Sequence, residues 1–235
     1  MREAYFHLPQ VPSFPDRSTR DIVIVALEAA RQSGRSSPLD LLFMDGFALS
    51  TVTERESIGD TLNALIAANL VAVDGQQVSA MVRLQYYAGC YFASDRPELH
   101  QARYADFVLG VGLSTRNFAE MIPLRPGSSV LDLGCGCGLL AVLSAALAAE
   151  VMEVDINPRA LAFTRFNAEL NVFPQIEMPL AICTLPCTLG ASMSFSPMLR
   201  MSSLLRRPTA IGTVAPASAS VLPARHRHCL LPAAA

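Results

Sequence analysis

The sequence predicts a mixed α/β fold in which a small module of helices and one β-hairpin precedes strands that alternate with helices. A helical stripe of apolar residues near the start, a turn pair between short apolar runs, and two apolar strands each followed by a helix support this prediction. Because strands joined by a helix usually lie parallel with right-handed crossovers, the second part is expected to form a parallel sheet. The 235 residues suffice for both parts.

Residues 1–100 are predicted to form the small α+β module. Three helices are expected, the third beginning after Thr53 and Glu56, which have the spacing of a capping box. The three predicted helices are Asp21–Gln32, Pro38–Asp45 and a segment that ends near Asn69.

A β-hairpin is predicted after these helices. The pair Asp74-Gly75 lies between two apolar runs, Leu70–Val73 and Val78–Leu84. Helices followed by a two-stranded ribbon suggest a winged-helix-like domain. Acidic residues outweigh the single Arg55 on its third helix, so a packing or substrate-shaping role is favoured, with nucleic-acid binding as the alternative.

An aromatic cluster closes this module: Tyr86, Tyr87, Tyr91 and Phe92. Such rings can stack on bases. We favour the other interpretation, in which they form core between the two parts of the chain.

Residues 101–173 alternate strands and helices. A strand over Ser129–Asp132 leads into a glycine-rich loop and then the apolar helix Leu139–Ala149, which is too short to cross a bilayer. The second strand, Val151–Asp155, is followed by Asn157-Pro158, an N-cap and a proline suited to the first helical position.

The glycine-rich loop indicates the class of ligand. Asp132 precedes three alternating glycines, Gly134, Gly136 and Gly138, in the pattern D-x-G-x-G-x-G. Dinucleotide-binding loops favour G-x-G-x-x-G for a pyrophosphate, which an acid beside the loop would repel. A second acid, Asp155, at the end of the next strand can accept hydrogen bonds from both hydroxyls of a ribose. This combination predicts a pocket for an adenosyl amino acid.

The run 130–172 resembles class I S-adenosylmethionine-dependent methyltransferases, most closely the group of release-factor glutamine and small-domain ribosomal-RNA guanine methyltransferases. The phrases at 155–161 and 166–171 are typical of that group, and 107–115 resembles a segment that borders the cofactor pocket in some members. The resemblance implies a Rossmann-like sheet and S-adenosyl-L-methionine as cofactor. It implies that the methionine part is held by the loop residues Asp132, Gly134, Cys135, Gly136 and Gly138, and the adenosine by Asp155 and Ile156.

The chain departs from this family after residue 173. The family continues with a third strand and an acid near the adenine, and then an Asn-Pro-Pro-Tyr or Asn-Pro-Pro-Phe motif that grips the acceptor. No Asn follows Asn171, so no catalytic residue is assigned. Residues 174–235, rich in Pro, Ser and Ala, are expected to form an irregular tail. A reading-frame change near Phe173 that truncates the fold is our hypothesis for this departure, and sequencing the locus would test it.

The sequence predicts transfer of a methyl group to a nitrogen of a protein (release factor or ribosomal) or an RNA. A non-catalytic remnant of the cofactor fold, or a winged-helix binding module, is the alternative, and a nicotinamide-dependent oxidoreductase is disfavoured by the glycine spacing.

Net charge is −2, so no overall basic field attracts nucleic acid. Met1–Pro12 lacks an apolar leader run, and we expect a cytoplasmic protein with neither a membrane segment nor a metal. Cys135 and Cys137 are interpreted as small residues in a tight turn, not as metal ligands.

Overall fold

The computed structural model describes residues 8–33, 37–44, 46–50, 58–59, 61–100, 104–173 and 176–177. Over these residues the protein is a mixed α/β chain with three small sheets. None of the helices in these ranges is both long and apolar enough to span a membrane.

Three helices open the described chain: α1 (Arg17–Ser33), α2 (Pro38–Phe43) and α3 (Thr61–Ala67). Helix α1 begins four residues earlier than predicted because Asp16 caps it, its Oδ1 accepting from the Thr19 amide at 2.7 Å. Ser37 caps α2 in the same way through the Leu39 amide. The predicted capping box at 53–56 lies outside the described residues.

Two hairpins follow, where the sequence predicted one. Strands β1 (Val71–Asp74) and β2 (Gln77–Ala80) form the predicted hairpin. The predicted second strand was too long, because the chain turns after Ala80 and begins a new hairpin of β3 (Arg83–Tyr87) and β4 (Cys90–Ser94). Its turn residues, Ala88 and Gly89, both have positive φ, as a type I′ turn requires, but Ala-Gly is not a usual signal for it. The winged-helix arrangement stays a prediction.

The remaining elements follow the predicted alternation of helices and strands. They are α4 (Pro97–His100), α5 (Leu113–Met121), β5 (Ser129–Leu133), α6 (Leu139–Ala145), β6 (Glu150–Val154), α7 (Pro158–Leu170) and β7 (Ile176–Glu177). The parallel pairing of β5 with β6 agrees with the prediction. Strand β7 pairs parallel with β6, so a short third strand lies where the sequence analysis expected an irregular tail.

One hydrophobic cluster runs through both predicted parts of the chain. Every residue of α6 is buried, and this helix contacts β5 and β6. Of the aromatic cluster, Phe92 and Tyr91 are buried in the core and Tyr86 is partly exposed. Helix α7 packs on β4, and this contact joins the β3–β4 hairpin to the parallel sheet.

Candidate functional site

The glycine-rich loop leaves the carboxyl end of β5 in a conformation that its glycines make possible. Gly134, Gly136 and Gly138 have φ of +80°, +59° and +76°, the left-handed region that costs other residues about 1–2 kcal/mol each. The amide of Gly134 donates to the Val154 carbonyl at 2.7 Å and that of Gly138 to the Cys135 carbonyl at 2.9 Å. The loop is thereby tied to β6 and folded back on itself.

Asp155 lies where β6 ends, beside this loop. Its Oδ2 accepts from the Gly136 amide at 3.0 Å and its Oδ1 from the Asn157 amide at 2.9 Å. Asn157 in turn caps α7 by accepting from the Arg159 amide at 2.9 Å, as predicted. A carboxylate has about four acceptor positions. The Cys135 thiol also donates to Oδ2, at 3.9 Å, so one position stays open for a ribose hydroxyl and a second is occupied only by this long thiol contact.

The other predicted cofactor residues differ sharply in exposure. Asp132 is 1% exposed, so it lies beneath the loop and not on its surface. Ile156 is 83% exposed beside Asp155, which suits a side chain that covers one face of an adenine. The Cys135 and Cys137 side chains are both buried.

A second buried acid, which the sequence analysis missed, lies next to Asp132. Glu153 on β6 pairs in register with Asp132 on β5 and is fully buried. Burial, reinforced by the Asp132 carboxylate, raises the pKa of Glu153 to about 8. The alternation of Val151 and Glu153 along β6 was the available signal, because it puts both side chains on the inner face.

Cys135 lies among these acids. Burial raises the pKa of its thiol, and the nearby carboxylates of Glu153, Asp132 and Asp155 raise it further. Asp132 and Asp155, which the sequence analysis singled out, and Glu153, which it did not, therefore all lie near the Cys135 thiol. A thiol with a raised pKa is a poor metal ligand and a poor nucleophile.

Helix α7 supports the loop from below. A Cβ on Gly138 would come within 2.6 Å of the Thr164 hydroxyl, so only glycine fits between the loop and the helix. The Thr164 hydroxyl donates toward the Gly136 carbonyl at 3.4 Å. One turn further along, the side-chain amide of Asn167 donates to the Cys137 carbonyl at 2.8 Å.

The segment before α5, predicted to border the cofactor pocket, is fixed close to the start of α7. The Asp106 carbonyl accepts from the Asn157 side chain at 2.9 Å. Buried Asp95 accepts from the Val108 amide at 2.8 Å and from the Arg159 guanidinium at 2.5 Å. This ion pair was another feature that the sequence did not reveal, since its partners are 64 residues apart.

Within the described ranges, no three His, Cys, Asp or Glu side chains group in a way that would hold a metal ion. The site therefore consists of a glycine loop at the carboxyl edge of two parallel strands, with the half-buried carboxylate of Asp155 beside it and the buried acids Asp132 and Glu153 beneath.

Comparison with known proteins agrees with this geometry. Residues 116–186 match the family of ribosomal protein L11 methyltransferases (PrmA). The chain is 31% identical over 156 residues to the ribosomal protein L11 methyltransferase of Thiobacillus denitrificans, covering 64% of this chain and 47% of that one. It is 30% identical over 136 residues to the electron transfer flavoprotein beta subunit lysine methyltransferase of Danio rerio, covering 55% and 53%.

These matches support the class I S-adenosylmethionine-dependent methyltransferase family. Members of that family use S-adenosylmethionine, as the loop predicted. The chain spans about half the length of these two curated relatives. Among solved structures, Trm5b from Pyrococcus abyssi has a TM-score of 0.31 and 18% identity, covering 56% of this chain and 42% of that one, which is too distant to support a conclusion. The narrower assignment, to the release-factor and ribosomal-RNA group, stays a prediction.

The residues present fit S-adenosylmethionine. The left-handed glycines leave bare backbone for close approach of a ligand, and the Asp155 carboxylate keeps acceptor capacity for a ribose hydroxyl beside its bonds to the Gly136 and Asn157 amides and the Cys135 thiol. Asp132, being buried, can act on the ligand only through the loop above it.

Proposed function

We propose that this chain binds S-adenosylmethionine and belongs to an enzyme that methylates a nitrogen of a protein. The Asp155 carboxylate, held by the Gly136 amide at the mouth of the glycine loop, is the observation that supports cofactor binding. Two of the relatives, a ribosomal protein L11 methyltransferase and a flavoprotein lysine methyltransferase, are named for protein substrates, which supports a protein acceptor over RNA.

In this proposal the protein mainly binds and orients. Gly134, Gly136 and Gly138 hold the methionine part through backbone groups, Asp155 accepts from the ribose hydroxyls, and Ile156 covers the adenine. The cofactor, when bound, supplies a methyl group that its sulfonium already activates. The contribution of the chain is therefore to fix the position of that methyl group relative to the acceptor.

Calorimetric titration with S-adenosylhomocysteine tests the cofactor site. We expect binding by the unmodified chain and at least tenfold weaker binding by Asp155→Asn, because one acceptor oxygen is replaced by a donor. Glu150→Gln is the matched control, since Glu150 is an exposed carboxylate at the opposite end of β6. No binding by the unmodified chain, or equal binding by both variants, would contradict the proposal.

A methyl-transfer assay separates the enzyme from the alternative, a non-catalytic cofactor fold. No Asn follows Asn171 in residues 172–235, so these residues hold no Asn-Pro-Pro motif, and the assay is needed to distinguish the two. Transfer of a labelled methyl group to ribosomal protein or release factor, compared with ribosomal RNA and tRNA, would establish an enzyme and its acceptor class. Cofactor binding without transfer to any of them would establish the non-catalytic form.

A further inference from the structure

Helix α7 presents two asparagines, one turn apart, to the backbone edge of β4. Asn171 accepts from the Tyr91 amide at 2.8 Å and donates to the Tyr91 carbonyl at 2.7 Å. Asn167 accepts from the Ala93 amide at 2.7 Å and donates to the Ala93 carbonyl at 2.9 Å. Each side-chain amide thereby makes the two hydrogen bonds that a neighbouring strand would make.

The spacing of this asparagine pair, Asn167 and Asn171, matches the spacing of the strand. Four helical residues rise about 6 Å, and two strand residues rise about 7 Å. Because the turn pairs Tyr87 with Cys90, Tyr91 and Ala93 direct their amides and carbonyls away from β3. The asparagine pair therefore satisfies an edge that would otherwise lack partners.

The two asparagines differ in their third hydrogen bond. Asn171 donates to the Asn167 carbonyl of its own helix at 2.7 Å. Asn167 is fully buried and donates to the Cys137 carbonyl in the glycine loop at 2.8 Å. Asn167, and not Asn171, therefore connects the β3–β4 hairpin to the glycine-rich loop.

We propose that Asn167 is a positioning residue for the cofactor-binding loop. Its amide nitrogen bridges the Ala93 and Cys137 carbonyls, which sets the orientation of the peptide between Cys137 and Gly138. The amide of that same peptide donates to the Cys135 carbonyl, so the peptide is fixed at both ends. This role rests on the proposed function of the loop, and it makes β4 part of the support of the cofactor site.

The matched substitutions Asn167→Asp and Asn171→Asp test the role without any ligand. Each one places an oxygen against two carbonyls, one of them on β4, but only the first affects the loop. We expect the Gly136 and Gly138 amides to exchange hydrogen at least tenfold faster in Asn167→Asp than in Asn171→Asp, after correction for global stability. Equal exchange in the two variants would overturn the proposal.

Titration with S-adenosylhomocysteine is the functional readout, made well below the melting temperature of each variant. We expect the dissociation constant to rise at least tenfold in Asn167→Asp and less than threefold in Asn171→Asp. Equal affinities in both variants would overturn the role in binding. A failure of the unmodified chain to bind would instead contradict the proposed function, and the exchange comparison would still decide whether Asn167 positions the loop.

If an aspartate variant does not fold, Asn167→Ser and Asn171→Ser replace the pair. Serine removes the bridging donor without placing a charge against the carbonyls. The same difference in loop exchange is expected, and its absence would have the same consequence.

Discussion

Replacing Glu153 with Gln is expected to remove a pH-dependent instability from the core of the parallel sheet. Glu153 is fully buried, faces Asp132 in register on β5, and has its pKa raised from 4.5 to about 8 by burial and by that neighbour. The folded protein therefore keeps a proton on Glu153 that the unfolded chain releases above pH 4.5. Gln has nearly the same shape as the protonated side chain and carries no charge at any pH.

The sign and size of the effect follow from proton linkage. Between pH 4.5 and about 8 the unfolded chain binds fewer protons than the folded one, so the free energy of unfolding falls by about 1.4 kcal/mol per pH unit. The loss approaches roughly 5 kcal/mol across the interval and is complete above pH 8. Because the two carboxyls interact, this loss is a property of the Asp132–Glu153 pair.

Urea unfolding followed by circular dichroism at pH 5, 6.5 and 8 measures the effect. We expect Glu153→Gln to be within about 1 kcal/mol of the unmodified chain at pH 5 and several kcal/mol more stable at pH 8. Glu150→Gln, on the same strand but exposed, should follow the unmodified chain at every pH. Parallel pH profiles for the unmodified chain and Glu153→Gln would refute the reasoning.

Two further comparisons use thermal unfolding. Gly138→Ala and Gly127→Ala both place Ala at a left-handed φ, +76° and +73°, but only the first Cβ meets other atoms. Gly127→Ala should cost about 1 kcal/mol and Gly138→Ala about 2 kcal/mol more, and equal melting temperatures would contradict the tight contact between loop and helix. Arg159→Met should cost about 3 kcal/mol by leaving Asp95 without its ion pair, whereas the exposed Arg165→Met on the same helix should cost little. A similar loss in both arginine variants would show that the ion pair does not carry the effect.

The local signals in the sequence were sufficient for two of the three strands of the parallel sheet, β5 and β6. Hydrophobic runs, the Asn157 cap and the glycine spacing are all short-range features, and each led to an element in the expected order. The second hairpin was missed because its turn uses Ala88 and Gly89, and a positive φ at Ala is set by the pairing of the flanking strands, not by local preference. Strand β7 was missed because a strand of two residues is too short to show an alternation of apolar and polar side chains.

Only part of the site could be predicted from the sequence, again because the sequence shows local features and not contacts between distant residues. Asp155 and the glycines follow from a motif, whereas their supports do not. Thr164 becomes visible only when α7 is placed against the loop, and the alternation along β6 indicates that Glu153 is buried but does not indicate its neighbours Asp132 and Cys135. Contacts such as Asp95 with Arg159 join residues distant in the chain, and no alternation or spacing encodes them.

These supports come mainly from the second strand and helix of the sheet. Asp155 and the carbonyl of Val154 tie the loop to β6, while Thr164 and Asn167 hold it on α7. Helix α7 is itself fixed to the β3–β4 hairpin through the asparagine pair. The ion pair of its first turn fixes it to Asp95, the residue that follows β4. The conformation of the loop therefore depends on contacts with residues before position 100, although every motif that identifies the loop lies after it. In the proposed function the β3–β4 hairpin is a structural support of the cofactor-binding loop, and its packing on α7 accounts for the one hydrophobic cluster that runs through both parts of the described chain.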